Sequence, residues 1–236
     1  MSIFRFKQFS VDQTGCAMKI NTDGVLLGAM ATAQRPEKIL DIGTGTGVIA
    51  LMLAQRFIQA QIDAVEIDPA AAETAQRNFE NTAFADRLHV HPVGINDYFE
   101  QHNGEKFDLI VSNPPFYINS LKSPEEKKKQ AKHTDVDFFE RLIKDVSEHL
   151  SPDGLCWLVL PLETAAEVKL LAASNGLRVQ KKVNVMSFGD VGPHREIMCL
   201  GFKDRITKID KFVIYQSAGV YTEAYIELLK PYFLAF

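Results

Sequence analysis

The sequence predicts an α/β fold: a mostly parallel sheet covered by helices on both faces. Three observations carry this. From residue 38 onward, short apolar runs alternate with stretches of helical period. The runs are almost continuously apolar, as strands buried on both faces must be. And 236 residues, 46% of them hydrophobic, can bury one large core without a disulfide or metal staple.

The elements follow in order. Residues 4–11 alternate, Phe4 and Phe6 on one face and Arg5 and Lys7 on the other, which predicts a strand. Asn21-Thr22-Asp23 offers a polar cap to a helix over 24–31. Strands are expected at 38–42, 62–67, 88–91, 107–112 and 155–160. Helices are expected at 48–57, from Pro69 to about Asn81, at 136–150 and at 163–174. Asp68 before Pro69 reads as a helix cap. Two long β segments, 178–187 and 196–202, precede a last strand near 212–215 and a helical end after Thr222. No internal repeat is visible.

Composition excludes several classes. With 24% charged and 10% aromatic residues the chain is neither disordered, collagen-like nor a coiled coil. A net charge of −4 is not that of a non-specific nucleic-acid binder, although it leaves room for a local basic patch. Cys16, Cys156 and Cys199 are far apart and suggest neither a zinc site nor a disulfide framework, so no metal is expected. The start lacks the apolar run of a signal peptide and no stretch approaches a membrane span, which gives the expectation of a cytoplasmic protein without membrane contact.

In sheets of this kind ligands sit beyond the carboxyl ends of the strands, near the point where strand order reverses. The loop after the first strand reads Asp41-Ile42-Gly43-Thr44-Gly45-Thr46-Gly47. Alternating glycines let the backbone pass close to a ligand, and the helix behind them offers free N–H groups. Glu66 ends the next strand about 20 residues on, where a ribose-binding carboxylate belongs. The pattern suits S-adenosylmethionine or NAD, with a purely structural glycine turn as the third reading. Asp41 favours the first, because a carboxylate there opposes a pyrophosphate and attracts an ammonium or sulfonium. Its structural alternative is capping of local N–H groups.

The loop after the fourth strand reads Ser112-Asn113-Pro114-Pro115-Phe116-Tyr117. Two prolines stiffen it. The Asn113 amide oxygen and the Pro114 carbonyl are two acceptors able to hold both hydrogens of one planar NH2 group, and Phe116 offers a face for a ring. An exocyclic amine is a poor nucleophile because its lone pair is delocalised into the ring. Acceptors that favour a pyramidal nitrogen localise that pair, so placement and electrostatics do the catalysis. The structural alternative is a rigid turn with an aromatic plug.

Asp41-x-Gly43-x-Gly45-x-Gly47, Glu66 and Asn113-Pro114-Pro115-Phe116 together resemble the class I S-adenosylmethionine-dependent methyltransferases that act on amino groups. These include DNA adenine, ribosomal RNA guanine-N2 and release-factor glutamine methyltransferases. Phe4-Arg5-Phe6-Lys7-Gln8-Phe9, the run Ala17-Met18-Lys19-Ile20-x-Thr22-Asp23-Gly24-Val25-Leu26-Leu27-Gly28-Ala29 and the ending Tyr221-Thr222-Glu223-Ala224-Tyr225 resemble the bacterial tRNA(Val) adenine-N6 methyltransferases.

The resemblance implies a Rossmann-like fold with a seven-stranded sheet and an antiparallel C-terminal hairpin. It implies a single domain over 1–236, in which 1–35 closes over the cofactor and touches RNA and 36–236 is the catalytic core. It implies S-adenosyl-L-methionine as cofactor and methylation of N6 of the adenosine at position 37 in the anticodon loop of tRNA(Val), by a monomer. On this reading Asn113, Pro114, Pro115 and Phe116 are catalytic. Asp41, Gly43, Thr44, Gly45, Gly47, Glu66, Ile67 and Asn113 bind the cofactor, with Thr22 and Asp23 at its methionine end. Relatives usually carry an acid after the third strand for the adenine amine; Gly94 stands there, and either Asp97 or backbone groups take its place.

Lys122, Lys127, Lys128, Lys129, Lys132 and His133 crowd the segment after the catalytic residues, partly offset by Glu125 and Glu126. A charge run is usually a solvated face. Its place beside the base pocket makes it, with Arg5, Lys7 and Lys19, the candidate RNA contact. A splayed anticodon-loop purine suits such a site better than a duplex base. Two alternatives remain at this stage: a methyltransferase of the same fold acting on guanine or a protein glutamine, and a non-catalytic RNA-binding scaffold.

Overall fold

The computed structural model describes residues 3–114 and 124–236, with the backbone alone for 124–136. The chain opens with a two-stranded hairpin, β1 (Ile3–Arg5) and β2 (Ser10–Asp12), and a helix, α1 (Thr22–Met30). Then come β3 (Lys38–Ile42), α2 (Val48–Arg56), β4 (Gln61–Val65), α3 (Pro69–Glu80), β5 (Leu88–His91), α4 (Ile95–Gln101) and β6 (Phe107–Ser112). α5 (Pro124–His149), β7 (Leu150–Leu160), α6 (Leu162–Ser174), β8 (Arg178–Met186), β9 (Arg195–Gly201) and β10 (Lys208–Val213) follow. The hairpin β11 (Tyr215–Ser217) and β12 (Val220–Tyr221) and the helix α7 (Glu223–Leu229) complete it.

The central sheet has the order β10-β8-β9-β7-β6-β3-β4-β5, all parallel except β9, which runs antiparallel between β7 and β8. Successive strand residues point to opposite faces, so each strand feeds two cores. Ile39, Ile62, Leu109 and Val111 face α1, α2, α3 and α7, through Leu26, Leu51, Phe79 and Leu229. Leu40, Ile42, Val65 and Ile110 face α4, α5 and α6, through Tyr98, Leu142 and Val168.

Four expectations need correction. The strand over 4–11 is a hairpin instead. In a strand Phe6 and Phe9 would point to opposite faces, whereas here both are buried and their rings stack at 4.5 Å, which requires the turn closed by Phe6 N–H to Phe9 O. The sheet has eight strands, not seven, because β10 adds itself in parallel to β8. The strand expected near 212–215 begins earlier, at Lys208–Val213, and its charged Lys-Ile-Asp-Lys start is that of an edge strand rather than a buried one. α5 begins at Pro124, twelve residues before the expected start; Pro suits the first helical turn and Glu and Lys are good helix formers. α4 was not expected, since Gly94 and Asn96 mask its beginning.

Candidate active site

β3 and β6 are neighbours at the point where the strand order reverses. Ile42 pairs with Ser112, and the Ser112 hydroxyl donates to the Ile42 carbonyl at 2.8 Å. The glycine loop and Asn113 therefore leave the sheet side by side, one strand spacing apart.

The loop turns on left-handed glycines: Gly43, Gly45 and Gly47 have φ of 71°, 56° and 81°. At Gly43 and Gly45 a Cβ would meet nothing within 4 Å, so their outer side is open. Gly47 is needed for packing, because a Cβ there would lie 2.5 Å from the Phe79 ring. The N–H groups of Gly43 and Thr44 donate to the Val65 carbonyl at 2.9 and 3.1 Å, drawing the loop toward the end of β4. There Glu66 accepts from Gly45 N–H and from Asp68 N–H, each at 2.9 Å, one on each oxygen. Each oxygen keeps a further lone pair, enough for the two hydroxyls of a ribose. Asp68 caps α3 by accepting from Ala70 N–H, as its position before Pro69 predicts.

Asp41 is fully buried beneath the loop. Thr44 donates to its Oδ2 at 2.6 Å, while Oδ1 has no partner among the described residues. Burial pushes its carboxyl up to about 7, against the hydrogen bonds from Thr44 and Ala50 and with a small push from Glu66. A buried carboxylate oxygen without a partner among the described residues, two residues before an open glycine turn, fits a cationic ligand.

Asn113 and α1 complete this side. Asn113 Oδ1 is buried without a partner among the described residues, the second such oxygen in the site. A Cβ on Gly24 would lie 3.6 Å from Asn113 Nδ2 and 3.8 Å from Ile49 Cδ1, so the first turn of α1 meets both Asn113 and the helix behind the glycine loop. Asn21 caps α1 by accepting from Gly24 N–H at 2.8 Å. Thr22 is exposed there. Asp23 pairs with Arg195, a residue whose part in the site has no local sequence signal, since 172 positions separate the two.

On the far side, Gly94, Asp97 and Ile67 converge: a Cβ at Gly94 would lie 3.5 Å from Asp97 Oδ2 and 3.6 Å from Ile67 Cδ1. Ile67 is 75% exposed, an apolar face beside an acid at the ends of β4 and β5. That is a setting for a purine ring and its amine. The open cradle, the two orphaned oxygens, Glu66 and this corner together fit S-adenosyl-L-methionine.

Arg5 and Lys19 are exposed. The exposed Lys7 ammonium donates to the main-chain oxygens of Lys230 and Phe236 at 2.6 and 2.8 Å, so it has a structural contact besides its expected RNA role. Pro115, Phe116 and Lys122 lie outside the described residues, as do the side chains of Lys127, Lys128, Lys129, Lys132 and His133. Among the described residues no group of His, Cys, Asp and Glu is placed to hold a metal ion, and no helix is long and apolar enough to cross a membrane.

Comparison with known proteins agrees with the geometry. Residues 17–185 match the model of the methyltransferase small domain family. The chain is 50% identical to the tRNA1(Val) (adenine(37)-N6)-methyltransferase of Pedobacter heparinus, over 99% of this chain and 98% of the relative. It is 40% identical to the protein of the same name from Porphyromonas gingivalis, over 98% of this chain and 94% of that one. A crystal structure of a predicted O-methyltransferase from Agrobacterium tumefaciens shares the fold, with a TM-score of 0.66 and 19% identity over 89% of this chain and 96% of the other. The fold, the orphaned oxygens around an open glycine loop and these similarities lead to one conclusion: the chain belongs to the methyltransferase small domain family and, within it, to the tRNA1(Val) (adenine(37)-N6)-methyltransferases.

Proposed function

We propose that this chain methylates N6 of adenosine 37 in the anticodon loop of a valine tRNA, as a cytoplasmic monomer. Its cofactor is S-adenosyl-L-methionine, which supplies a methyl group on a sulfonium. The substrate follows the names of relatives that match nearly the whole chain. The observation that carries the chemistry is the buried Oδ1 of Asn113 beside the glycine loop, which has no partner among the described residues. A buried acceptor without a donor costs about 1–3 kcal/mol, and an incoming NH2 group relieves it.

On this reading Asn113 Oδ1 and the Pro114 carbonyl accept the two amine hydrogens and hold the nitrogen pyramidal, with its lone pair aimed at the methyl group. Pro115 stiffens the loop and Phe116 stacks on the adenine. Asp41 faces the cationic end of the cofactor, Glu66 its ribose, and Ile67 with Asp97 its adenine. Thr22 remains a candidate at the methionine end; Asp23 already serves Arg195. Residues 1–35 and 36–236 act as one domain. Lys19, Arg5 and the basic first half of α5 grip phosphates. After attack the nitrogen loses its proton readily, so the site needs no strong base and His133 is not assigned one.

The test has two parts. Nucleosides from tRNA of a strain lacking the gene should lack N6-methyladenosine at position 37 of the valine tRNA. In vitro, Asn113→Ala should bind S-adenosylhomocysteine almost normally while turnover falls about 100-fold or more. Normal turnover in that variant would place the amine elsewhere.

A further inference from the structure

The two ends of α1 are held differently. Its carboxyl end is pinned from below. The Arg56 guanidinium donates to the carbonyls of Ala29 and Ala31, and the Trp157 indole N–H donates to the Thr32 carbonyl at 2.9 Å. The amino end, which touches Asn113 and Ile49, has its cap within its own turn through Asn21. Beside the packing of Val25 and Leu26 in the core, a polar tie from that turn to the sheet is the pair between Asp23 Oδ2 and Arg195 Nε at 2.8 Å. Arg195 is the first residue of β9, at the same edge of the sheet as the glycine loop. The two side chains are 18% and 29% exposed, so the contact is partly shielded from solvent.

We infer that Arg195 is a positioning residue for methyl transfer: through Asp23 it holds the first turn of α1 against Asn113. Without the pair, α1 pivots on its fixed carboxyl end and the turn beside the reacting amine drifts. The inference rests on the proposed role of Asn113. Displacements of about 1 Å around reacting groups cost up to about 100-fold in rate, so the loss of a tie remote from the chemistry is readable in turnover.

The test exploits charge. Arg195→Ala and Asp23→Ala alter net charge in opposite senses but break the same tie. With S-adenosylmethionine and a valine tRNA transcript, both should lower kcat about 10-fold. The double variant should be no slower than either single one, and the swapped Asp23→Arg, Arg195→Asp enzyme should recover most of the loss. Both single variants should bind S-adenosylhomocysteine about 5-fold more weakly, a readout that stands even if the wild-type protein leaves tRNA unmethylated, which would count against the proposed function alone. Opposite changes in KM for tRNA with unchanged kcat would make Arg195 a phosphate contact and overturn the inference. Additive losses in the double variant would overturn it as well. If the alanine variants melt early, Arg195→Lys, which keeps the charge pair, should exceed Arg195→Gln in kcat; equal values would refute the tie.

Discussion

The buried Asp41 has one hydroxyl and one backbone donor, and an oxygen without a partner among the described residues. Its carboxyl stands at about 7 in the folded chain against 3.8 in the unfolded one. A folded-state value raised in this way contributes stability that is complete below the unfolded value and is lost as pH rises through about 7. The protein without cofactor should therefore melt at a lower temperature at pH 8 than at pH 5 on this account, and Asp41→Asn should flatten the difference. A cation placed opposite favours the charged form, so cofactor binding below about pH 7 should release a proton and tighten as pH rises. Calorimetry in two buffers of different ionisation heat measures that proton; a release unchanged in Asp41→Asn would count against the assignment.

Glu66 has two duties, bracing the glycine loop and the start of α3 while offering lone pairs outward. Glu66→Ala should weaken S-adenosylmethionine and its demethylated product alike, by about 1.5–3 kcal/mol. Titration of both ligands would show it, and unchanged affinity for both would sink the ribose contact. These residues were legible in the sequence because each stands at the carboxyl end of a strand, where ligands of such sheets sit. Asp23 was legible only by resemblance and with another purpose. A partner 172 positions away leaves no periodic trace.

At the scale of elements, the sequence resolved what is buried and blurred what is half-exposed. The apolar strands β3, β4, β5 and β6 fall close to their expected limits, because only one reading of a short apolar run between helices packs on both faces. The charged edge strand β10, the amphipathic turn of α4 and the lysine-rich start of α5 carry no such constraint. The last of these matters for RNA. Lys127, Lys128 and Lys129 lie within α5. Neutralising all three should weaken tRNA binding and flatten its salt dependence by up to about three counterions, with cofactor affinity unchanged. An identical salt slope would mark them as a solvated face.

Across the whole molecule the net charge of −4 makes such local contacts decisive, since the protein as a whole repels a polyanion. The two ends of the described chain are also joined. Phe6 forms a bridge with Phe233, its ring lies 5.7 Å from that of Phe233, and Lys7 holds Lys230 and Phe236. Phe6 is 4% exposed within the larger core, so Phe6→Ala should cost about 3–5 kcal/mol in denaturant unfolding. A loss below about 1 kcal/mol would show that the hairpin is an ornament rather than part of the fold.

This closure sets the order of events at birth. A ribosome emits the β1–β2 hairpin before the elements that follow it, and the carbonyls that receive Lys7 are translated 223 and 229 residues later. At about 5–20 residues per second, the nascent hairpin waits for tens of seconds with Phe4, Phe6 and Phe9 lacking their final neighbours. The segment that leads into α1, and so toward the candidate site, is thus made early and is among the last to be seated.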